Sequence, residues 1–139
     1  MGTRSRVGVQ HGDVIKSVYC HFDGYLSHTG TMLHRYYDSI RANELVARGD
    51  NSGIQQSFGE MHFYAEQEEV EADWAVAHSL EEFLDQVSAC GAEYYYIMKD
   101  GVWYAGCTYA TEGLTNGKLT LLADALADLL IAEAIAEDE

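Results

Sequence analysis

Residues 94–109 read YYYIMKDGVWYAGCTY, two runs of aromatic and β-branched side chains separated only by Asp100-Gly101. Such side chains favour the pleated, half-buried surface of a sheet. A two-residue Asp-Gly link is too short for anything but a tight antiparallel turn. Tyr94 to Lys99 and Val102 to Tyr109 are therefore predicted to form a hairpin. A second hairpin is predicted at the N-terminus, where Arg6 to Gln10 and Val14 to Cys20 flank His11-Gly12-Asp13. Two hairpins commit the chain to a mainly antiparallel sheet.

Helical signals occupy the remainder. Ser79-Leu80-Glu81-Glu82 has the form of a capping box, with Leu80, Phe83, Leu84 and Val87 on one face and Gly91 as the stop. Leu26 to Tyr37 has near-helical apolar spacing, and Asp38 or Ser39 caps a further helix that ends at Gly49. Met61 to Ala65 alternates like a short strand. Trp74 to Ala77 reads as a strand or as the approach to the next helix. Thr111 to Gly117 is a loop. Leu119 to Ala136 is a long helix, apolar apart from a narrow stripe at Asp124 and Asp128, which calls for burial in the core or in a self-interface. Residues 137–139, all acidic, are expected to fray, because negative charge is unfavourable at a helix C-terminus. The expectation is one α+β domain over 1–139, three to four helices packed on one face of the sheet.

The most reactive-looking side chains lie in Val14 to Tyr37. Cys20 and His21 are adjacent on a predicted strand, so they point to opposite faces and form no dyad. His28 and His34 are six apart, a poor match to the spacing that puts two ligands on one helical face. No metal site or cofactor is expected from them. A ligand site around His21, Asp23, Tyr25, His28 and Arg48 is one reading. A buried Cys20, with His21 and Asp23 bonded into the turn, is the other. Phosphate-loop, nucleophile-elbow and HExxH patterns do not occur, which weighs against an enzyme.

Charge narrows the choice of partner. The net charge is −15, unevenly spread. Arg4, Arg6, Lys16, Arg35, Arg41 and Arg48 outweigh four acids before residue 49, whereas 19 acids face only Lys99 and Lys118 beyond it. That field repels phosphate and attracts a basic protein surface or a cation. The acids expected to meet such a partner are Glu66, Glu68, Glu69, Glu71, Asp73, Glu81, Glu82 and Asp85. Tyr94, Tyr95, Tyr96, Trp103, Tyr104 and Tyr109 are expected to pack one face in the core and offer the other as binding anchors. Three unpatterned cysteines point to a reducing compartment. No signal core and no membrane-length apolar run is visible.

Two segments carry a resemblance. Thr3-Arg4-Ser5-Arg6-Val7-Gly8 and Tyr19-Cys20-His21-Phe22-Asp23-Gly24-Tyr25 resemble the opening of a family of small phage-encoded proteins of unknown function. Gly30, His34 to Tyr37, Leu45 to Asp50 and the aromatic Tyr94 to Tyr104 are similar to it as well. The resemblance covers roughly the first 54 residues best. Phe63 to Glu69 departs from the family, lacking the Arg and Gly of its Tyr-x-Arg-Asp-x-Gly-Glu stretch. The resemblance implies phage origin and host cytoplasm; taken with the acidic charge beyond residue 49, it points to an accessory protein that binds and modulates a host protein. It implies no activity.

Overall fold

The computed structural model describes residues 2–108, 114 and 118–138, the last three by backbone alone. It is an α+β fold with a six-stranded, mostly antiparallel sheet ordered β3-β2-β1-β4-β5-β6. Both predicted hairpins form. The N-terminal one pairs β1 (Ser5–His11) with β2 (Val14–Cys20) from Ser5↔Cys20 to His11↔Val14. The second pairs β4 (Tyr94–Lys99) with β5 (Val102–Cys107) around Asp100 and Gly101. Both turn residues have positive φ, 51° and 79°, the condition for the type I′ turn that matches strand twist.

The two hairpins join through a parallel pair, β1 with β4, in register from Ser5↔Tyr94 to Gln10↔Lys99. The edges are β3 (Ala75–Ala77), paired with β2, and β6 (Thr120–Leu121), paired with β5. β1 is thus interior to the sheet and nearly all buried.

Helices cover both faces rather than the one expected. One face carries Val7, Val9, Val18, Cys20, Tyr96, Met98 and Ala105, packed with Leu33, Leu45, Ile54, Phe63 and Leu122. The other carries Ile15, Tyr95, Ile97 and Ala77 under Phe83 and Val87 of α4 (Leu80–Ala89). Two-sided cover follows from the alternation of Tyr95 and Ile97 with Tyr96 and Met98, apolar on both sides. It also corrects the reading of the aromatic hairpin. Tyr95, Tyr96 and Trp103 are buried, and Trp103 donates its indole N–H to the Tyr37 carbonyl at 2.8 Å. Tyr109 lies outside the described residues.

Capping decides the helix limits. Asp38 accepts from the Arg41 N–H at 2.9 Å and opens α2 (Ser39–Arg48). Ser79 accepts from the Glu82 N–H at 3.0 Å. The Glu82 carboxylate accepts from His78 N–H, one residue before the expected partner. α4 ends as a Schellman motif, Ala92 N–H to Val87 carbonyl and Gly91 N–H to Ser88 carbonyl, with Gly91 at φ +71°.

Elsewhere, tertiary contacts displace local preference. The predicted helix over Leu26 to Tyr37 begins as a π-helical turn, Leu26–Gly30, and only then becomes α1 (Thr31–Tyr36). A Cβ on Gly30 would meet Leu122 and Leu26 side chains at 3.3 and 2.9 Å, so the absent side chain admits the close packing there. Met61 to Ala65 is not a strand. Phe63 makes one isolated bridge to Asn51, and Tyr64–Gln67 coil into a single turn, α3. The alternation is satisfied by burying Met61 and Phe63 in the core, without a ladder.

The last helix, α5 (Leu122–Asp138), follows β6 and runs past the Ala136 limit and into the acidic end expected to fray. Glu139 and nearly all of the loop expected at Thr111 to Gly117 lie outside the described residues. Among the described side chains of α5, only Leu122 and Ala125 are buried, whereas Leu130, Ile131 and Ile135 are 65%, 58% and 59% exposed. Core burial does not account for this helix. Among the described residues, no helix is long and apolar enough to cross a membrane.

The tightest packing gives a stability test. The Tyr95 ring lies directly over Gly106, where any Cβ would overlap it. Gly106→Ala is expected to destabilise the fold by about 1–3 kcal/mol, the cost of forced overpacking, read as a fall in the urea midpoint at unchanged slope. The exposed Gly12, with nothing within 4 Å of its missing Cβ, serves as control. Gly12→Ala should cost only the left-handed backbone penalty of about 1 kcal/mol.

Candidate functional site

The two sequence signatures meet in space. Cross-strand register sets Ser5 opposite Cys20 and Arg6 opposite Tyr19. The loop after α2 closes over this junction. Asn51 N–H donates to the Tyr19 carbonyl at 2.9 Å, His21 N–H donates to the Asn51 carbonyl at 3.1 Å, and Tyr19 N–H donates to the Asp50 carboxylate at 2.8 Å.

Alternation then sorts the side chains. Cys20 is wholly buried on the α2 side, beside the buried Ser5 and Asn51 side chains. Burial pushes the Cys20 thiol up to about 12, against weaker opposing hydrogen bonds from Ser5 and Asn51. A thiol held protonated is a poor nucleophile. On the α4 side, Arg6 is 8% exposed and donates through Nε to Ser17 Oγ at 2.7 Å. His21 Nδ1 lies 2.6 Å from the Tyr19 hydroxyl. The predicted separation of Cys20 from His21 is what the strand produces.

The five ligand candidates do not converge. His21 is engaged with Tyr19. Asp23 is exposed at φ +58°, and its carbonyl accepts from Thr29 Oγ1 at 2.7 Å. His28 donates from Nε2 to the Ile54 carbonyl at 2.9 Å, with the partly exposed Tyr25 ring beside it. Arg48 lies over the Phe58 and Phe63 rings and is paired with Glu66 at 2.9 Å. The main clefts have other linings. One of about 560 Å³ lies between the α1–α2 junction and the β4–β5 turn, lined by His34, Arg35, Asp38 and Trp103. Among the described residues, no three His, Cys, Asp or Glu side chains are placed to hold one metal ion.

The acids lie in the segments that lead into and out of β3, an edge strand of the sheet. Glu66 is on α3, and Glu68, Glu69 and Glu71 are in the connection that follows. Asp73 leads into β3, and Glu81, Glu82 and Asp85 are on α4, which packs beside β3. All eight are exposed. Three also hold structure: Glu66 pairs with Arg48, Asp73 accepts from Trp74 N–H, and Glu82 caps His78.

Exposed apolar side chains fall in the same segments, with Trp74 and Val76 on the Lys16 face of the sheet and Leu80 on α4 over the other. Val70, Trp74, Val76 and Leu80 are 58%, 36%, 39% and 42% exposed. Lys16 Nζ sits 5.8 Å from the centre of the Trp74 ring. Addition of a foreign strand to β3 is partly blocked, because Gln86 Nε2 already donates to the Val76 carbonyl at 3.0 Å. The edge therefore offers side chains rather than backbone. Sequence reasoning placed the aromatic anchors on the 94–109 hairpin and missed these four. Their signal was large apolar residues isolated within a stretch without Lys or Arg, residues 49–98.

No protein-family model, curated protein or solved structure matches the chain.

The buried hydroxyls and thiol make stability sensitive to alkali. Burial pushes Tyr37 up to about 12 and Tyr96 well above its ordinary 10.0, as it does Cys20 from 9.0. The unfolded chain loses these protons first, so it binds fewer protons than the folded one between the two values. Stability is expected to be fully present below about pH 9 and to fall as pH rises from 9 towards 12. Urea midpoints at successive pH values measure this. At pH 8, iodoacetamide should leave Cys20 unmodified in the folded chain and alkylate it once denaturant is added, as peptide mass spectrometry reads directly.

Proposed function

We propose that the chain is a phage-encoded accessory protein that binds and modulates a host protein bearing a basic surface, in the host cytoplasm. The observation that carries the reading is the β3 edge, where Trp74, Val76 and Leu80 are exposed within a segment that also bears eight exposed carboxylates. Exposed apolar anchors with charged groups nearby are what protein interfaces use. A charged rim speeds encounter with an oppositely charged partner and fixes orientation, while the anchors supply affinity. Phage origin rests on the Thr3–Gly8 and Tyr19–Tyr25 resemblance. Direct binding of nucleic acid is disfavoured by the charge. A nucleic-acid-handling or defence protein, whose own surface is basic, is the kind of partner the edge suits. The His21–Arg48 ligand reading has less support, because those side chains are dispersed.

The test is affinity purification from host lysate at low ionic strength, with bound proteins identified by mass spectrometry. One basic partner should be retained and should elute with salt. Trp74→Ala is expected to weaken its binding by about 2 kcal/mol, typical of an aromatic anchor, in titration of the purified pair. Combined Glu68→Lys, Glu71→Lys and Glu81→Lys changes should lower the association rate and its salt dependence. A partner held equally well by all three chains, or no retained partner at all, sinks the reading.

A further inference from the structure

Neither the core nor the acidic edge explains the exposed part of α5. Its outward residues include Leu130, Ile131 and Ile135. Beside it runs a groove of about 500 Å³, walled by Thr31, His34 and Arg35 on one side and by Ala123, Leu126, Ala127 and Leu130 of α5 on the other. Ala123 and Ala127 keep that wall low, so a second helix can approach closely. An apolar groove of this kind suits the apolar stripe of an amphipathic helix.

Charge selects the occupant. Every charged side chain of α5 is acidic: Asp124, Asp128, Glu133, Glu137 and Asp138. The opposing wall presents His34 and Arg35, both exposed, and among the described residues neither makes an ion pair. His34, Arg35 and Ala123 also line the adjoining cleft at the start of α5, whereas Glu133 and Leu130 lie further along it. A helix with a basic stripe would be repelled by that wall, and one with an acidic flank would be held.

We propose that the groove is occupied by α5 of a second copy of this chain, giving a two-fold dimer with the two helices antiparallel. Antiparallel packing brings Glu133 of the partner subunit towards Arg35 at the start of α5, and the symmetry axis repeats the contact. Leu126 and Leu130 pack on the same residues of the partner subunit. Such an isologous contact closes on itself and gives dimers, not filaments. The groove is reached from the β6 side of the sheet, because α5 packs on β5 and β6. The acidic edge is at β3, on the opposite side, so the dimer and the partner-binding reading stand or fall separately.

Sedimentation equilibrium of the full chain at micromolar concentration tests the dimer. The wild-type chain should be a dimer, and Leu130→Glu should raise its dissociation constant by about 100-fold, as for loss of a central anchor. Leu130 is 65% exposed, so the folded monomer should keep its circular dichroism and urea midpoint. Arg35→Glu and Glu133→Arg should each weaken the dimer by about tenfold, and the double swap should restore it. The restoration separates a direct contact from a general loss of folding. A monomeric wild-type chain overturns the proposal and returns the groove to a foreign helix. A dimer indifferent to Leu130→Glu and to the charge swaps overturns it as well.

Discussion

The parallel pairing of β1 with β4 is the contact on which the remaining structure depends. Each hairpin is local and would form a ribbon alone, but two-stranded ribbons are marginal in water. Joined through Ser5–Gln10 and Tyr94–Lys99, they become one sheet with two apolar faces. β1 has little spare volume at the centre. A Cβ on Gly8 would approach Ile15, Ser17 and the Lys16 carbonyl at 3.1 Å. The two faces then recruit different helices, α4 on one and α1, α2 and α5 on the other.

Folding also redistributes charge. The N-terminal stretch carries a small positive excess in sequence, but much of it is spent inside the fold. Arg6 is buried against Ser17. Arg41 donates to the Tyr36 and Gln56 carbonyls and lies over Tyr37, and Arg48 lies over Phe63 and pairs with Glu66. These cations fasten the 54–66 segment to α2. Arg35 remains outward at the α5 groove, while the carboxylates lie in the segments on either side of β3. Six strands at about 4.8 Å spacing put these surfaces roughly 24 Å apart. In the proposed dimer the two acidic edges face outward, which would let one assembly hold two partner surfaces at once.

Much of the fold was legible because it rests on short-range chemistry. Asp100-Gly101 and Gly12-Asp13 announce turns, Asp38 and Ser79 announce helix starts, and Gly91 announces a stop. Each acts within a few residues, so each reads correctly in isolation. Met61 to Ala65 misled because its alternation reflects burial of Met61 and Phe63, and burial does not require a ladder. The aromatic hairpin misled in the opposite sense, since α4 covers the face assumed to be open. The candidate site was half legible. The acids were identifiable as a charge excess, but Val70, Trp74, Val76 and Leu80 could be recognised as exposed only once β3 was placed at an edge.

By itself, the sequence determined the two hairpins, the helix caps, the separation of Cys20 from His21 and the asymmetry of charge. All of these follow from backbone geometry over a few residues or from simple composition. Only the tertiary structure decided that β1 and β4 run parallel, that helices cover both faces, that the ligand candidates disperse and that α5 is left largely uncovered. Those outcomes depend on contacts between residues far apart in the chain, such as Ser5 with Tyr94 and Gly30 with Leu122. A pattern of local preferences cannot say which apolar face will be met by which distant partner.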